Sequence, residues 1–307
     1  MTQLRAWRKL GLLYEPRSRH PKLLSHAANP LPVSIGGDVF RIFFSGRDAQ
    51  NRSSVGAVDI NMATRQIVGT FDEPFLIHGP PGSFYEAGIS IGNCYDVGEQ
   101  RYMLFMGWQN PPGGHWRGDI GRIRVSDALT LDVDSDTPFM GQDEEDSISL
   151  SYPWVTTAPD GSFRMWYGST TAWDAGNGEM LHVLKGATSA DGNVWQRTGL
   201  AVPYSIGVAQ AFSRPTVIGN PQSGYHMWFS YRSGRGDAYR IGYAVSATGF
   251  DWKLRLDHSG IDVSSDGWDS EMIEYPFVFE HKGLQYMLYN GNGYGKTGFG
   301  LAVLGNI

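Results

Sequence analysis

The chain has 307 residues, a formal charge of −6, one cysteine and no apolar run approaching the roughly 18 residues of a membrane span. That combination excludes the basic footprint of a nucleic-acid binder, an internal disulfide and a helical membrane anchor. With 41% hydrophobic and 13% aromatic residues, it also excludes a disordered chain.

The first apolar stretch, Leu10 to Tyr14, follows Arg5, Arg8 and Lys9 and imitates a signal peptide. Its apolar part is about five residues against the usual 7–15, so it reads as a strand. A cytoplasmic location is the resulting expectation. Further along, five aromatic strands recur: FRIFFS (Phe40 to Ser45), RYMLFMGW (Arg101 to Trp108), FRMWYGS (Phe163 to Ser169), YHMWFSY (Tyr225 to Tyr231) and QYMLYNG (Gln285 to Gly291). Their matched positions, Ile42, Met103, Met165, Met227 and Met287, lie 61, 62, 62 and 60 residues apart. Alternating polarity with aromatic and β-branched enrichment marks each as a strand.

A proline stands eleven or twelve residues before the matched position in four units, at Pro30, Pro153, Pro215 and Pro276. The second unit carries EAGIS (Glu86 to Ser90) there instead. A further strand follows each aromatic one, as in RIGYAVS (Arg240 to Ser246) and GFGLAVL (Gly298 to Leu304). In two units a turn then leads to Trp195 or Trp252. Four antiparallel strands per unit is the pattern of a propeller blade. The last unit stops after its third strand, and Trp7 to Leu12 imitates Trp195 to Leu200, the outermost strand of its own unit. The expectation is an all-β chain, residues 1–307 forming a single five-bladed β-propeller domain whose N-terminal strand closes the last blade. Stacked sandwiches would need no such common period, and a solenoid would need polar caps.

On its proline pivots, its M-W-Y strands and the S-x-D-G-x-x-W turn at Ser189 to Trp195, the chain resembles the five-bladed propeller enzymes that act on sugars. These are the arabinanases and xylosidases of glycoside hydrolase family 43, the invertases and levansucrases of families 32 and 68, and the mannoside phosphorylases of family 130. It also resembles propellers of this type that accompany bacterial polysaccharide synthesis. The resemblance spans nearly all of the chain. It implies a central funnel lined by the first strand of each blade, with catalytic carboxylates close to the pivots. In the first blade, where an Asp is expected, the sequence has Asn29. In the second, Glu86 is the available acid. In the third, where a Glu is expected, Ser151 and Tyr152 stand before Pro153.

Glycoside hydrolysis uses two carboxyl groups across the scissile bond. The acids nearest pivots are Glu86, Glu274 and Glu271, with Asp48 just after the first aromatic strand; these four are the catalytic candidates, Glu86 and Glu274 first by the parity of their spacing. Arg47, Arg52 and Arg214 are candidates for holding a carboxylate or phosphate, a use to which related phosphorylases put a basic cluster. At the first pivot His26 and Asn29 are candidates for substrate binding, His26 as a proton donor or sugar contact, with a hydrogen-bonded structural histidine as the alternative. Trp108, Trp173, Tyr152 and Tyr294 are candidates for stacking on sugar faces, and Asn290 and Asn292 for contacting hydroxyl groups. Trp166 and Trp228, and the repeated Trp7, Trp195 and Trp252, are expected to be structural.

The run Gly291 to Gly300 lacks phosphate-loop spacing and joins two strands, so a hairpin turn is expected. No metal-ligand spacing and no cofactor motif is present, so neither a metal nor a cofactor is expected. The acidic run Gly141 to Ser147 reads most simply as a solvated loop before the third blade, with a calcium site as the alternative. The function indicated is a carbohydrate-active, glycoside hydrolase-like enzyme working in the funnel, with a carbohydrate or sugar phosphate as ligand. The alternatives are a non-catalytic glycan-binding propeller, and a phosphorylase or transferase using a phosphorylated sugar.

Overall fold

The computed structural model describes residues 5–306. After β1 (Arg5–Tyr14) the chain makes four meanders of four strands each. The first is β2 (Ser25–Gly36), β3 (Val39–Arg47), β4 (Ser53–Asn61) and β5 (Gln66–Thr70). The second is β6 (Gly88–Val97), β7 (Gln100–Gln109), β8 (Arg117–Val125) and β9 (Leu131–Val133). The third is β10 (Ser149–Thr157), β11 (Phe163–Ala172), β12 (Leu181–Ser189) and β13 (Gln196–Leu200). The fourth is β14 (Ala211–Asn220), β15 (Gly224–Arg232), β16 (Arg240–Ser246) and β17 (Lys253–Leu254). A last meander of three strands, β18 (Glu274–His281), β19 (Leu284–Asn290) and β20 (Phe299–Asn306), takes β1 as its fourth. The inner strands β2, β6, β10, β14 and β18 each touch the next, and β18 touches β2, which closes the ring.

The repeat follows from one register. The matched positions all lie on the second strand of a blade and are all fully buried. Met103, Met165, Met227 and Met287 face Cys94, Val155, Val217 and Val278 across the sheet, and Ile42 faces Pro32. Blade faces then meet through aromatic rings. Trp166 of the third blade meets Trp252 of the fourth edge-on at 5.8 Å, and Trp228 of the fourth meets Trp7 on β1 at 5.5 Å. Trp7 therefore gives the fifth blade the contact that Trp252 gives the fourth, as expected of a structural tryptophan.

Closure by β1 has an electrostatic counterpart. In the third blade Arg197, on the outer strand, pairs with the buried Asp146 at 2.7 Å, and Tyr167 donates its hydroxyl to the same carboxylate. In the fifth blade Lys9, on β1, pairs with buried Asp269 at 2.7 Å, and Tyr289 donates to it. A buried charge persists only when paired and hydrogen-bonded in this way. Asp146 thus corrects the expectation of a wholly solvated acidic run: one of its carboxylates is fully buried, also held by Lys185 at 2.7 Å. The glycine-rich connection between β19 and β20 is a tight turn, as expected, with Gly293 and Tyr294 in left-handed conformations. Among the described residues no helix is long and apolar enough to cross a membrane.

Candidate functional site

Each inner strand carries one extra residue at the same height. Pairing with the second strand jumps between Ala28 and Leu31, Ile91 and Cys94, Ser151 and Trp154, Ser213 and Thr216, and Glu274 and Phe277. A bulge of this kind bends the strand and re-aims its side chains. In four blades the residue before the proline is left-handed: Asn29 (φ 56°), Tyr152 (39°), Arg214 (44°) and Tyr275 (52°). A non-glycine residue there, and before proline, stores about 1–3 kcal/mol that the surroundings must hold. Arg214 supplies part of that restraint. Its guanidinium is buried and donates to the Tyr275 carbonyl at 2.6 Å and to the Pro30 carbonyl at 2.9 Å, tying the fourth blade to the fifth and first. Burial pushes its pKa down to about 9.

The second blade solves the same problem differently. Gly92 and Asn93 occupy the bulge, and the Asn93 amide exchanges two 2.8 Å hydrogen bonds with the Val155 backbone of the third blade. The pivot therefore falls at Gly92-Asn93 and not at EAGIS, a correction with a plain cause. Glu86 precedes β6 altogether, and its carboxylate accepts from the Gly82 amide in the preceding turn.

Around the axis lies a cavity of about 390 Å³ that receives one residue from every inner strand: Asn29, Ser90, Tyr152, Ser213 and Tyr275. These form its floor. The ends of second strands give Arg47, Trp108 and Arg232, and connecting loops add Asn51, Asn110, Trp116, Tyr239 and Tyr294. Of the residues expected at a site, Asn29, Arg47, Trp108, Tyr152 and Tyr294 are therefore brought together. Trp108 is pinned through its indole N–H to Ser53 at 3.1 Å. Tyr152 donates its hydroxyl to that of Tyr275 at 3.1 Å, and burial pushes both phenols up.

The other candidates lie elsewhere. Asp48 is buried, but it accepts from the Gln50 and Arg52 amides and from the Arg52 guanidinium, so it organises its own loop. Burial alone would raise its pKa; those hydrogen bonds prevail and hold it low. Arg52 is the partner in that pair and does not line the cavity. Glu271 is exposed. Asn292 accepts from the backbone amides of Glu271 and Met272. Asn290 is fully buried, accepting from the Asn29 amide and donating to the Ala27 and Gly298 carbonyls. His26 is half-buried against Ser25, and burial, with Arg47 and Lys296 nearby, lowers its pKa to about 4. Trp173 sits at the rim, its ring stacked on His115 and edge-on to Trp116 at 5.0 Å.

Glu274 does not line the cavity but adjoins its lining, next to Tyr275 in the chain and close enough to Arg47 and Arg232 to feel their charge. It opens β18, occupying in the fifth blade the bulge place that Ser151 holds in the third and Ser213 in the fourth. It is fully buried, and neither oxygen has a hydrogen-bond partner. Burial raises its pKa well above the ordinary 4.5, against the opposing pull of Arg47 and Arg232. Burial of this kind favours the protonated form of a carboxyl group over the ionised one. No Asp or Glu is among the described residues that line the cavity itself.

Residues missed from sequence include Arg232, Tyr275, His182 and Trp116. Two had signals. Tyr275 precedes its proline just as Tyr152 does, and Arg232 stands five residues after Met227 as Arg47 does after Ile42. His182 had none. Its imidazole is buried between the hydroxyls of Ser151 (2.6 Å) and Thr170 (2.7 Å), and burial lowers its pKa to about 4, so it is a neutral wall residue.

No family model matches the chain. Among solved structures it is similar to a "Glycoside hydrolase" (TM-score 0.75, 14% identity, 98% of this chain and 92% of that one). It is similar also to a glycosyl hydrolase from Bacteroides ovatus (TM-score 0.72, 11% identity, 98% and 94%). The fold is thus that of the propeller glycoside hydrolases. Two proteins of Mycobacterium tuberculosis, Uncharacterized protein MT1551 of strain CDC 1551 / Oshkosh and Uncharacterized protein Rv1502 of strain ATCC 25618 / H37Rv, are each 44% identical to this chain. Those matches run over 304 residues, 98% of this chain and 100% of theirs, and the chain belongs to their family.

Proposed function

We propose that the protein is a carbohydrate-active enzyme that seats a glycan or glycoside in the axial cavity, with Glu274 as proton donor to the departing oxygen. The observation that carries this reading is a fully buried, unpaired carboxyl group, its pKa raised by burial, set directly behind the lining of an aromatic-walled polar cavity. Tyr152, Tyr275, Trp108 and Trp116 offer ring faces to a sugar, and Asn51 and Asn110 offer amides to its hydroxyls. Two-carboxylate hydrolysis asks for a second acid, and Asn29 and Ser151 occupy the places where the resemblance leads one to expect the others. The reading is therefore of a one-acid site, in which an external nucleophile such as phosphate, or an activated donor, completes the reaction.

The test is Glu274→Gln on a substrate found by screening glycosides with and without inorganic phosphate. The expected loss in kcat is about a hundredfold or more, with KM little changed; undiminished kcat refutes the assignment. A second reading, glycan binding without turnover, is favoured by Asn29 and Ser151. It is distinguished by calorimetric binding with no product formed. The reading carries a cytoplasmic location with it, which fractionation checks.

A further inference from the structure

Several polar groups in and directly behind the cavity lining are buried and have no partner within the protein: Asn29 Nδ2, Ser213 Oγ and Arg232 Nε in the lining, and both oxygens of Glu274 behind it. Leaving such a group unpaired costs about 1–3 kcal/mol each, and these come from three different blades, so no single local accident explains them. Asn29, Ser213 and Arg232 line the cavity, and so does Arg47. Arg47 donates to Asn51 and forms no ion pair among the described residues. Arg232 is held by Glu179 through Nη2 at 2.7 Å and lies over the Tyr239 ring, an arrangement that leaves Nε free.

The groups that line the cavity share one property, which the oxygens of Glu274 do not. The amide Nδ2 of Asn29 and the guanidinium nitrogens of Arg47 and Arg232 can only donate, the Ser213 hydroxyl donates readily, and no carboxylate lines the cavity to answer them. A neutral sugar hydroxyl answers one such donor and must still place its own proton on a hydroxyl or amide oxygen elsewhere in the lining. An oxyanion has no proton to place, and charge-assisted bonds from two arginines strengthen its hold.

The geometry points to an oxyanion site at the floor of the cavity, so that the ligand is an acidic one: a sugar bearing a carboxylate or phosphate ester, or a free phosphate bound beside the sugar. This rests on the reading of the cavity as a sugar site. Arg52 and Arg214, the other arginines expected from sequence, have no part in it.

The experiment is calorimetry and thermal-shift titration of the full chain with glucose, galactose and mannose, the uronate and 6-phosphate of each, and inorganic phosphate alone. At least one oxyanion-bearing sugar is expected to bind about tenfold or more tighter than its neutral parent, or phosphate alone to bind. The first result assigns the anion to the sugar and the second to free phosphate. Arg47→Gln and Asn29→Asp are each expected to reduce that preference about tenfold. Aspartate tolerates the left-handed backbone at position 29 and sets a repelling charge in the floor. Arg232→Gln also strands Glu179, so it is read only alongside these two.

The inference is overturned if no acidic probe outbinds its neutral parent and phosphate does not bind. It is overturned equally if the preference survives both Arg47→Gln and Asn29→Asp in folded protein. The two readings fail separately. Acidic sugars that bind preferentially but are never turned over sink the enzyme and leave this site, whereas Glu274-dependent turnover of a neutral glycoside without anion preference does the reverse.

Discussion

Replacing Glu274 by Gln tests whether this buried acid is neutral, through stability alone and without a known substrate. In the folded chain Glu274 keeps a proton that the unfolded chain releases above the ordinary carboxyl value of 4.5. Over that range the native state binds more protons than the unfolded one, so the stability of the wild type falls as pH rises. The Gln variant carries no such group. Its unpaired amide adds a constant offset, and all other titrations cancel when the two proteins are compared. The difference in unfolding free energy should therefore move against the wild type by about 1.4 kcal/mol per pH unit while Glu274 stays protonated. For 307 residues the unfolding entropy is about 0.6 kcal/mol/K, so each unit corresponds to about 2 °C in Tm. Urea denaturation of both proteins at pH 5, 6 and 7 reads the trend. A difference independent of pH would mean that the group is not perturbed. A wild type that gains on the variant as pH rises would mean an ionised Glu274 held by Arg47 and Arg232, and the proton-donor argument would be wrong.

Closure of the ring gives a second prediction. Lys9→Met strands the buried Asp269 and should cost about 3 kcal/mol, roughly 5 °C in Tm. Asp269→Asn leaves a lysine that can turn to solvent, and should cost clearly less; calorimetric scans that reverse this order refute the pairing argument. Arg214→Met removes the donors to the Tyr275 and Pro30 carbonyls and should destabilise by about 3 kcal/mol or more, read by urea midpoint. No change there would show that the pivots hold themselves. Trp116→Ala should leave Tm within about 2 °C, because the ring is only half-buried, while weakening the binding of any sugar ligand about tenfold. Unchanged affinity removes Trp116 from the site.

Much of the architecture was legible because its causes are local and repeated. Strand alternation and a methionine every 61 or so residues set the blades. The likeness of Trp7 to Trp195 announced the closing strand, since both belong to outer strands that must cover a neighbouring blade. The site was legible only in part. Asn29 and Tyr152 were found because the residue before a pivot proline reaches the cavity in three of the four blades that have one, Arg214 being the exception. Glu86 misled because the second blade makes its bulge with Gly92 and Asn93, and a shift of a few residues moves a side chain out of the cavity altogether. Arg52, Asp48 and Arg214 looked like ligand groups by composition, yet Asp48 and Arg52 satisfy each other within one loop, and Arg214 is satisfied by carbonyls of two other blades that the sequence does not place beside it.

The sequence by itself determined the five-fold repeat, the order of strands and the seam at the N-terminus, because each depends on patterns within one unit or on the matching of two. Only the tertiary structure decided the chemistry. Glu274 owes its raised pKa to burial, against the pull of Arg47, more than two hundred residues away along the chain, and of Arg232. Arg47 and Arg232 face one cavity because ring closure turns the fourth blade toward the first. Burial and opposing charge are properties of the assembled ring, which is why an acid and two arginines far apart in the chain come together at one cavity.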